Sequence, residues 1–281
     1  MQLTIARDMD SLQEALALLA RHGKRVGLVP TMGALHDGHL SLIRRAQEEA
    51  DAAVVSIFVN PKQFGPNEDF SKYPRMVEAD IRKAEEAGAA VVYAPPPEDL
   101  YPEGFSTAVS TGELGTILEG KTRTGHFDGV ATVVTKLLLR VLPHVAIFGE
   151  KDYQQLCVIQ RLVADLDIPV EIVGAATVRE KDGLALSSRN AYLSPQERAI
   201  APMIYEVLNH VGAAITHDQL PVAAALAQGT AALNKSGFRV DYLELRREDT
   251  LEPMERFEPP ARLLAAAWLG ATRLIDNIAL E

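Results

Sequence analysis

Apolar strand-like runs and helical stretches alternate along the first two thirds of the chain, and this alternation restricts the fold more than any other feature of the sequence. The runs that are apolar almost throughout are 25–29, 53–59, 89–94, 145–148 and 170–173. Helical spacing of apolar residues separates them, as in 77–87, 129–142 and 152–166. Strands without polar alternation are buried on both faces, which is typical of a parallel sheet covered by helices. The sequence therefore predicts an α/β fold with a Rossmann-like, doubly wound parallel sheet.

The first helix and its limits can be predicted from local signals. Leu12, Leu16 and Leu19 share one helical face. Ser11 and Glu14 have the spacing of a capping box, and a glycine at position 23 is expected to end the helix.

The pattern changes after residue 176. Ser194-Pro195-Gln196-Glu197 combines a cap residue, a proline at the first helical position and a glutamate at the third, which predicts a helix start. The helix is expected to continue through one apolar stripe, formed by Ile200, Met203, Ile204, Val207, Leu208 and Val211. A second helix over 221–235 and three strand-like segments at 238–245, 262–269 and 272–278 follow. We therefore expect two domains, 1–176 and a smaller α+β domain over 177–281, with the loop 180–193 as the hinge.

Charge and composition exclude several classes of protein. Among 281 residues, 28 Lys and Arg stand against 38 Asp and Glu, a net charge of −10 that disfavours a broad nucleic-acid surface. The longest apolar runs are too short to span a membrane, and the charged residues Arg7, Asp8 and Asp10 are unlike a secretory signal. Cys157 is the single cysteine, which excludes an internal disulfide and favours a reducing, cytoplasmic location. Its apolar helical neighbours predict a core residue and not a nucleophile.

Two histidines stand where the first buried strand gives way to a helix, within Pro30-Thr31-Met32-Gly33-Ala34-Leu35-His36-Asp37-Gly38-His39. A helix N-terminus offers unpaired N–H groups and a partial positive charge, and glycines let a phosphate approach the backbone. The segment therefore favours phosphate binding. A histidine-containing turn or half of a metal site fits the same residues, although no nearby cysteine or third histidine supports zinc.

Three further polar segments follow apolar runs. Asn60 and Gln63, in Phe58-Val59-Asn60-Pro61-Lys62-Gln63-Phe64, offer uncharged amides that suit a hydroxylated substrate. Without context, an Asn-Pro turn with a surface glutamine is the favoured explanation.

Lys151, in Phe148-Gly149-Glu150-Lys151-Asp152-Tyr153-Gln154-Gln155, is suited to neutralise phosphate charge, or belongs to a solvated turn. Leu184-Ala185-Leu186-Ser187-Ser188-Arg189-Asn190 fits a phosphate clamp in a mobile loop, or a polar loop without function.

A last segment, 121–129, carries Arg123 and His126 before a helix. The arginine is suited to pair with a carboxylate or a phosphate. The histidine is as readily explained by packing.

In order and spacing these segments resemble the pantothenate synthetases, also called pantoate–β-alanine ligases. The resemblance covers the chain from about Val26 to Asn190 and rests on the segments at 30–39, 58–64, 126–130, 148–155 and 187–190. Thr124 departs from it, since the family commonly has proline there. The His-x-Gly-His element also resembles the signature of the class I aminoacyl-tRNA synthetase-like nucleotidyltransferases, and the Ser-Ser-Arg loop resembles their Lys-Met-Ser-Lys-Ser loop.

The resemblance implies ATP-dependent condensation of (R)-pantoate with β-alanine through pantoyl adenylate, giving pantothenate, AMP and pyrophosphate. It implies ATP as co-substrate, Mg²⁺ on its phosphates with Asp80 as at most a weak contact, and a homodimer without nucleic-acid or membrane partners. It assigns catalysis to His36, His39 and Lys151, and pantoate to Gln63 and Gln155, with Gln63 also meeting β-alanine. It assigns ATP binding to Met32, Gly33, Ala34, Leu35, His36, Asp37, Gly38, His39, Gly149, Glu150, Lys151, Asp152, Val178, Leu186, Ser187, Ser188 and Arg189.

Two other functions stay open on the residues. One is a nucleotidyltransferase of the same fold that acts on a phosphorylated or nucleic-acid acceptor, and the other is a nucleotide-sensing protein. Gln63 and Gln155 favour the ligase, because a phosphate acceptor would call for arginine and lysine at those positions.

Overall fold

The structure is a computed structural model, which describes residues 2–66 and 68–281. The chain forms two compact units. The first unit contains residues up to Glu150 together with Gln155–Ala176. The second contains Lys151–Gln154 and Thr177–Glu281. Lys151–Gln154 therefore groups with the later part of the chain, although it lies within the span expected for the first domain.

The first unit is built on a six-stranded sheet whose neighbouring strands are all parallel. The strands lie in the order β1-β4-β3-β2-β5-β6. The predicted parallel α/β fold is confirmed. The strand bounds are β1 Thr4–Ala6, β2 Val26–Thr31, β3 Ala52–Ile57, β4 Val91–Tyr93, β5 Val145–Gly149 and β6 Glu171–Ala175.

Helices cover this sheet. They are α1 Met9–Arg21, α2 Asp37–Glu49, α3 Val77–Glu86, α4 Pro97–Leu100, α5 Glu119–Thr122, α6 His126–Val141 and α7 Tyr153–Asp165. Ile43 of α2 and Ile81 of α3 pack with Val29, Val55 and Ile147 of the strands in one buried apolar cluster. Burial of side chains of this size stabilises the unit by about 1.5–3 kcal/mol each. Among the described residues, no helix is both long and apolar enough to span a lipid bilayer.

The winding of the sheet reverses between β2 and β5. From β2 the chain adds β3 and β4 on one side, and then adds β5 and β6 on the other side of β2. In open α/β sheets, ligands bind beyond the carboxyl ends of the strands at such a reversal. Residues 32–36 and Glu150, which follow β2 and β5, therefore stand at the expected ligand-binding edge.

The second unit packs helices against an antiparallel sheet of β7 (Phe238–Arg247), β8 (Ala261–Leu269) and β9 (Thr272–Leu280). Its helices are α8 Pro195–Ile200, α9 Met203–Thr216 and α10 Val222–Lys235. The buried faces of α9 and α10 share one apolar cluster with alternate residues of the strands. The predicted strands and the helix start at Ser194 are confirmed, since the Ser194 side chain accepts from the Glu197 N–H.

Two local predictions were wrong. The capping box of α1 begins at Asp8, whose carboxylate accepts from the Ser11 N–H, so Ser11 stands at the third helical position and not at the cap. Asp and Ser are both good caps, and spacing alone does not choose between two of them that lie three residues apart. The apolar stripe after Ser194 is also not one helix, because α8 ends before Pro202 and α9 begins at Met203.

Candidate active site

Two histidine rings cap the N-terminus of α2 reciprocally. The N–H of Gly38 donates to Nδ1 of His36 at 3.2 Å, and the N–H of His36 donates to Nδ1 of His39 at 3.3 Å. The ring centroids lie 4.1 Å apart. Imidazoles thus have the roles that Ser or Thr and Glu have in an ordinary capping box.

These caps determine where each imidazole carries its proton. A ring nitrogen that accepts a hydrogen bond from a backbone N–H carries no proton, so the proton of each ring is on Nε2. His36 and His39 therefore both have a hydrogen-bond donor at Nε2. Two such donors beside the positive end of a helix dipole suit the binding of an anion.

Asp80 on α3 holds the turn that leads into this helix. Its Oδ2 accepts from the N–H of Ala34 and its Oδ1 from the N–H of Leu35, both at 2.8 Å. The turn has positive φ at Gly33 (+80°) and Ala34 (+52°), a conformation that is strained for alanine. Asp80 is only 1% exposed. Each oxygen of Asp80 is bonded to the turn, so a contact with Mg²⁺ would have to use its second lone pair, and that weak contact stays a prediction.

The amide of Gln63 is buried and has a defined orientation. Asn60 accepts from the Lys62 N–H through Oδ1, so its Nδ2 is the donor to the Gly129 carbonyl and to Oε1 of Gln63, each at 3.0 Å. Nε2 of Gln63 consequently lies at the other end, 3.0 Å from Sδ of Met32. Gln63 is 7% exposed, so the surface glutamine favoured by the bare segment was wrong.

Tyr101 supports the same arrangement from a distant part of the chain. Its hydroxyl donates to Oδ1 of Asn60 at 2.8 Å, and Nζ of Lys62 lies 5.2 Å from its ring centroid. Nothing around Tyr101 in the sequence indicated this role, because the contact depends on the fold of the loop after β4.

Arg123 and His126 hold the backbone of Gln63. The Arg123 guanidinium binds both carboxylate oxygens of Glu68 at 2.8 Å and approaches Nε2 of His126 at 3.0 Å. Nδ1 of His126 lies 2.8 Å from the carbonyl oxygen of Gln63. Since a guanidinium only donates, the proton of His126 is on Nδ1 and is donated to that carbonyl. Arg123 thus pairs with a carboxylate, as one of its two predicted partners.

The environment of His126 keeps its ring uncharged. Burial, and secondarily the charge of Arg123, lower the pKa of His126 from 6.5 to about 4. Burial alone would raise the pKa of Glu68, but the hydrogen bonds and charge of Arg123 outweigh it and lower that pKa. The trio is therefore a neutral imidazole beside an ion pair at neutral pH.

The remaining candidates of the first unit lie after β5. Gly149 ends that strand, and the Glu150 side chain packs close to Gly174 of β6. Gln155 is half-buried near the start of α7. Cys157 is 4% exposed in the same helix, which confirms the predicted core position.

In the second unit, the structure brings several ATP-site candidates together. The N–H of Leu186 donates to the carbonyl of Val178 at 3.0 Å, closing a short hairpin, and Ser187 follows as the cap of a 3₁₀ turn that contains Ser188 and Arg189. Lys151 belongs to the same unit, with Nζ 3.7 Å from Oδ2 of Asp152.

No group of three or more His, Cys, Asp or Glu side chains in the described part of the chain has an arrangement that would hold a metal ion.

The fold and this edge of the sheet define a class, the α/β proteins whose parallel sheet reverses its winding beside the N-terminus of a helix. A family model described as pantoate-beta-alanine ligase matches residues 4–279. The chain belongs to the pantoate–β-alanine ligase family, as its motifs predicted.

Relatives and solved structures align with nearly the whole length of this chain. A pantothenate synthetase of Rhodospirillum rubrum is 56% identical over 98% of both chains, and one of Acidiphilium cryptum is 54% identical over 99% of this chain and 100% of its own length. The crystal structure of pantothenate synthetase from Thermus thermophilus matches with a TM-score of 0.91 and 48% identity, covering 99% of both chains. That of the ligase from Francisella tularensis, complexed with β-γ ATP and β-alanine, matches with a TM-score of 0.82 and 36% identity over 99% and 98% of the two chains.

The depressed pKa of His126 predicts a loss of stability in acid. Between pH 6.5 and about 4 the unfolded chain binds a proton that the folded chain does not, so the free energy of unfolding falls as the pH falls. The full loss is about 3 kcal/mol, and it is absent above pH 6.5.

His126→Asn keeps a donor for the Gln63 carbonyl but does not titrate, so urea unfolding of this variant should show a flatter pH profile. His22→Asn, at an exposed position, is the control. An unchanged profile in His126→Asn would contradict the prediction.

A second prediction concerns the turn held by Asp80. Asp80→Asn has one oxygen for the two N–H donors of Ala34 and Leu35, so urea unfolding should show a loss of about 1–3 kcal/mol. Asp128→Asn is the matched control, because Asp128 uses the single oxygen Oδ1 for both bonds from Thr111. Equal losses in the free energy of unfolding of the two variants would contradict the prediction, because the paired bonds of Asp80 would then add no stability beyond those of Asp128.

Proposed function

We propose that this protein condenses (R)-pantoate with β-alanine at the expense of ATP, giving pantothenate, AMP and pyrophosphate. The observation that carries the proposal is the contact between Nε2 of Gln63 and Sδ of Met32. It joins an uncharged amide donor directly to the loop that ends in the histidine-capped helix. A group suited to the oxygens of a hydroxy acid thus stands next to a group suited to phosphate.

In the first step, the pantoate carboxylate attacks the α-phosphorus of ATP. A bond forms from a carboxylate oxygen to phosphorus, the bond to the bridging oxygen breaks, and pyrophosphate leaves. Negative charge increases on the phosphate oxygens during this step. Donors already fixed in place, such as Nε2 of His36 and His39 at the N-terminus of α2, stabilise that charge without reorganisation.

In the second step, the amine of β-alanine attacks the carbonyl carbon of pantoyl adenylate. The amide bond forms, AMP leaves with the bonding electron pair, and the amine gives up a proton. This route needs no nucleophile from the protein, which agrees with the buried position of Cys157. The main contribution of the protein is then the placement of the reactants.

The orientation of Gln63 supports its assignment to pantoate. Its Nε2 faces away from Asn60 and is suited to donate to a hydroxyl or carboxylate oxygen. The same group is unsuited to an ammonium ion, so contact with β-alanine would require its carboxylate or its uncharged amine. Gln155 is assigned to pantoate by the match of its segment to the family motif, and it lies near the start of α7.

We assign Mg²⁺ to the phosphates of ATP. Asp80 is at most a weak protein contact, because both its oxygens already accept N–H donors of the turn. Mg²⁺ commonly keeps several waters and is held by substrate phosphates, so the fit is to a cation that arrives with the nucleotide.

The ATP contacts of Met32–His39, Gly149–Asp152, Val178 and Leu186–Arg189 belong to this proposal. We also expect residues 1–176 to bind ATP and pantoate, and residues 177–281 to form a lid with its hinge at 180–193. These domain roles stay predictions, as do the Rossmann-like character of the sheet, the homodimer and the cytoplasmic location.

The test is a continuous assay of AMP formation. We expect turnover that requires both pantoate and β-alanine, and with pantoate alone a release of pyrophosphate limited to one equivalent per enzyme. Pyrophosphate release that is indifferent to pantoate and yields no AMP would favour the nucleotidyltransferase, which leaves the nucleotidyl group on its acceptor. Nucleotide binding without release of either AMP or pyrophosphate would favour a sensor.

Substitution of Gln63 tests the organic site. Gln63→Glu replaces the Nε2 donor by an oxygen that repels the pantoate carboxylate, so the pantoate KM should rise by about tenfold or more while the ATP KM changes little. Gln13→Glu makes the same change at an exposed position and should leave both constants unaltered. Steady-state kinetics with each substrate varied separately measure the effect, and equal rises in the two constants would contradict the assignment.

A further inference from the structure

Two adjacent buried polar residues lie in the last strand of the second unit. Asp276 and Asn277 of β9 are 2% and 4% exposed. Successive side chains of a strand point to opposite faces of its sheet. Asp276 pairs with Ala265, which lies in the cluster shared with α9 and α10, so Asp276 faces the helices and Asn277 faces away from them.

Asp276 binds the hairpin that carries the ATP-site candidates of this unit. Arg179 donates to its carboxylate through both terminal nitrogens, at 2.6 and 2.8 Å, and its guanidinium lies 3.7 Å from the ring centroid of Tyr205. Arg179 also donates to the Gly183 carbonyl at 3.1 Å. The ion pair is almost fully buried, so removal of one partner would leave an uncompensated charge.

Arg179 stands at the base of that hairpin. It forms an antiparallel bridge with Ala185, beside the backbone bond between Leu186 and Val178. Leu186 leads directly into Ser187. Whatever fixes Arg179 therefore fixes the backbone at both ends of the hairpin.

Asn277 binds the other candidate segment of the unit. Its Nδ2 donates to the Lys151 carbonyl at 3.0 Å, and its Oδ1 accepts from Arg262 at 3.3 Å. The Arg262 guanidinium lies over the ring of Tyr153 at 3.8 Å and pairs with Glu248 at 3.0 Å. The segment 151–153 is thus held at its backbone and at a ring.

We infer that Asp276 and Asn277 are positioning residues that hold the two candidate nucleotide-binding segments of the second unit, 151–154 and 178–189, at a fixed separation. This inference rests on the proposed function. One strand grips both segments, one from each face, so the cation of Lys151 and the donors of 186–189 are placed before the nucleotide arrives. Catalysis through fixed donors requires such placement, because a small displacement removes much of the stabilisation. Asp276 and Asn277 act through Arg179 and Lys151 and not by touching the substrate.

The test uses Asp276→Asn and Asn277→Ala, with Asp241→Asn as matched control. Asp241 pairs with Arg273 at 2.8 Å in the same sheet, and both residues lie outside the two segments; its side chain is 17% exposed, against 0% for Asp276. We expect Asp276→Asn to raise the ATP KM by about tenfold or more. Asn277→Ala should chiefly lower kcat for pantoate-dependent pyrophosphate release, because it loosens Lys151. The pantoate KM should stay unchanged in both variants.

Hydrogen–deuterium exchange of the nucleotide-free protein gives a second readout that needs no activity. Asp276→Asn should speed exchange at the backbone amides of 178–189, and Asn277→Ala at those of 151–154, relative to Asp241→Asn. If Asp276→Asn fails to fold, Asn277→Ala tests its own segment independently.

The outcomes separate the two proposals. Variants that match Asp241→Asn in exchange and in kinetics would overturn the inference, while wild-type turnover would keep the proposed function. Faster exchange in the expected segments, without any pantoate-dependent AMP formation by the wild type, would overturn the proposed function and with it the role of this anchoring in nucleotide binding.

Discussion

Two hydrogen bonds from the backbone of Ala34 and Leu35 to the carboxylate of Asp80 support the arrangement around α2. The chain leaves β2 through residues in left-handed conformation, which costs alanine about 1 kcal/mol or more. A buried carboxylate that receives two N–H donors offsets that cost and fixes the turn. The helix then begins at Asp37, after the His36 cap, with its N–H groups at the edge of the sheet where the winding reverses.

Histidine caps do more than accept hydrogen bonds from the unpaired N–H groups at the start of a helix. Serine or threonine would satisfy the same backbone donors, but neither would present a second nitrogen with a defined proton. The backbone itself determines the tautomer of His36 and His39, in the same way that it determines the amide orientation of Asn60 and hence of Gln63. A backbone group can act only as a donor or only as an acceptor. Its hydrogen bond therefore determines which end of a bound imidazole or amide carries the donor.

Particular residues show how far the sequence could be interpreted. The β/α alternation predicted the parallel sheet, and the helix start at Ser194 was correct because its cap, proline and glutamate are all local. The cap of α1 was misplaced because Asp8 and Ser11 are both competent caps. Segment chemistry pointed to Asn60 and Gln63, but a bare Asn-Pro turn gave no reason for Gln63 to be buried. Arg123 had two predicted partners, and Glu68, which the sequence did not indicate, is the one it binds.

The sequence by itself determined the class of fold, the order of its elements and the candidate segments for the site, because periodicity, caps and strand ends are properties of neighbouring residues. Tertiary structure alone decided which atoms face one another. The Asp80 bond to Ala34 joins residues 46 apart, that of Asn60 to Gly129 residues 69 apart, and that of Asn277 to Lys151 residues 126 apart. Contacts over such separations arise only when packed strands and helices bring the segments together, so no local pattern contains them.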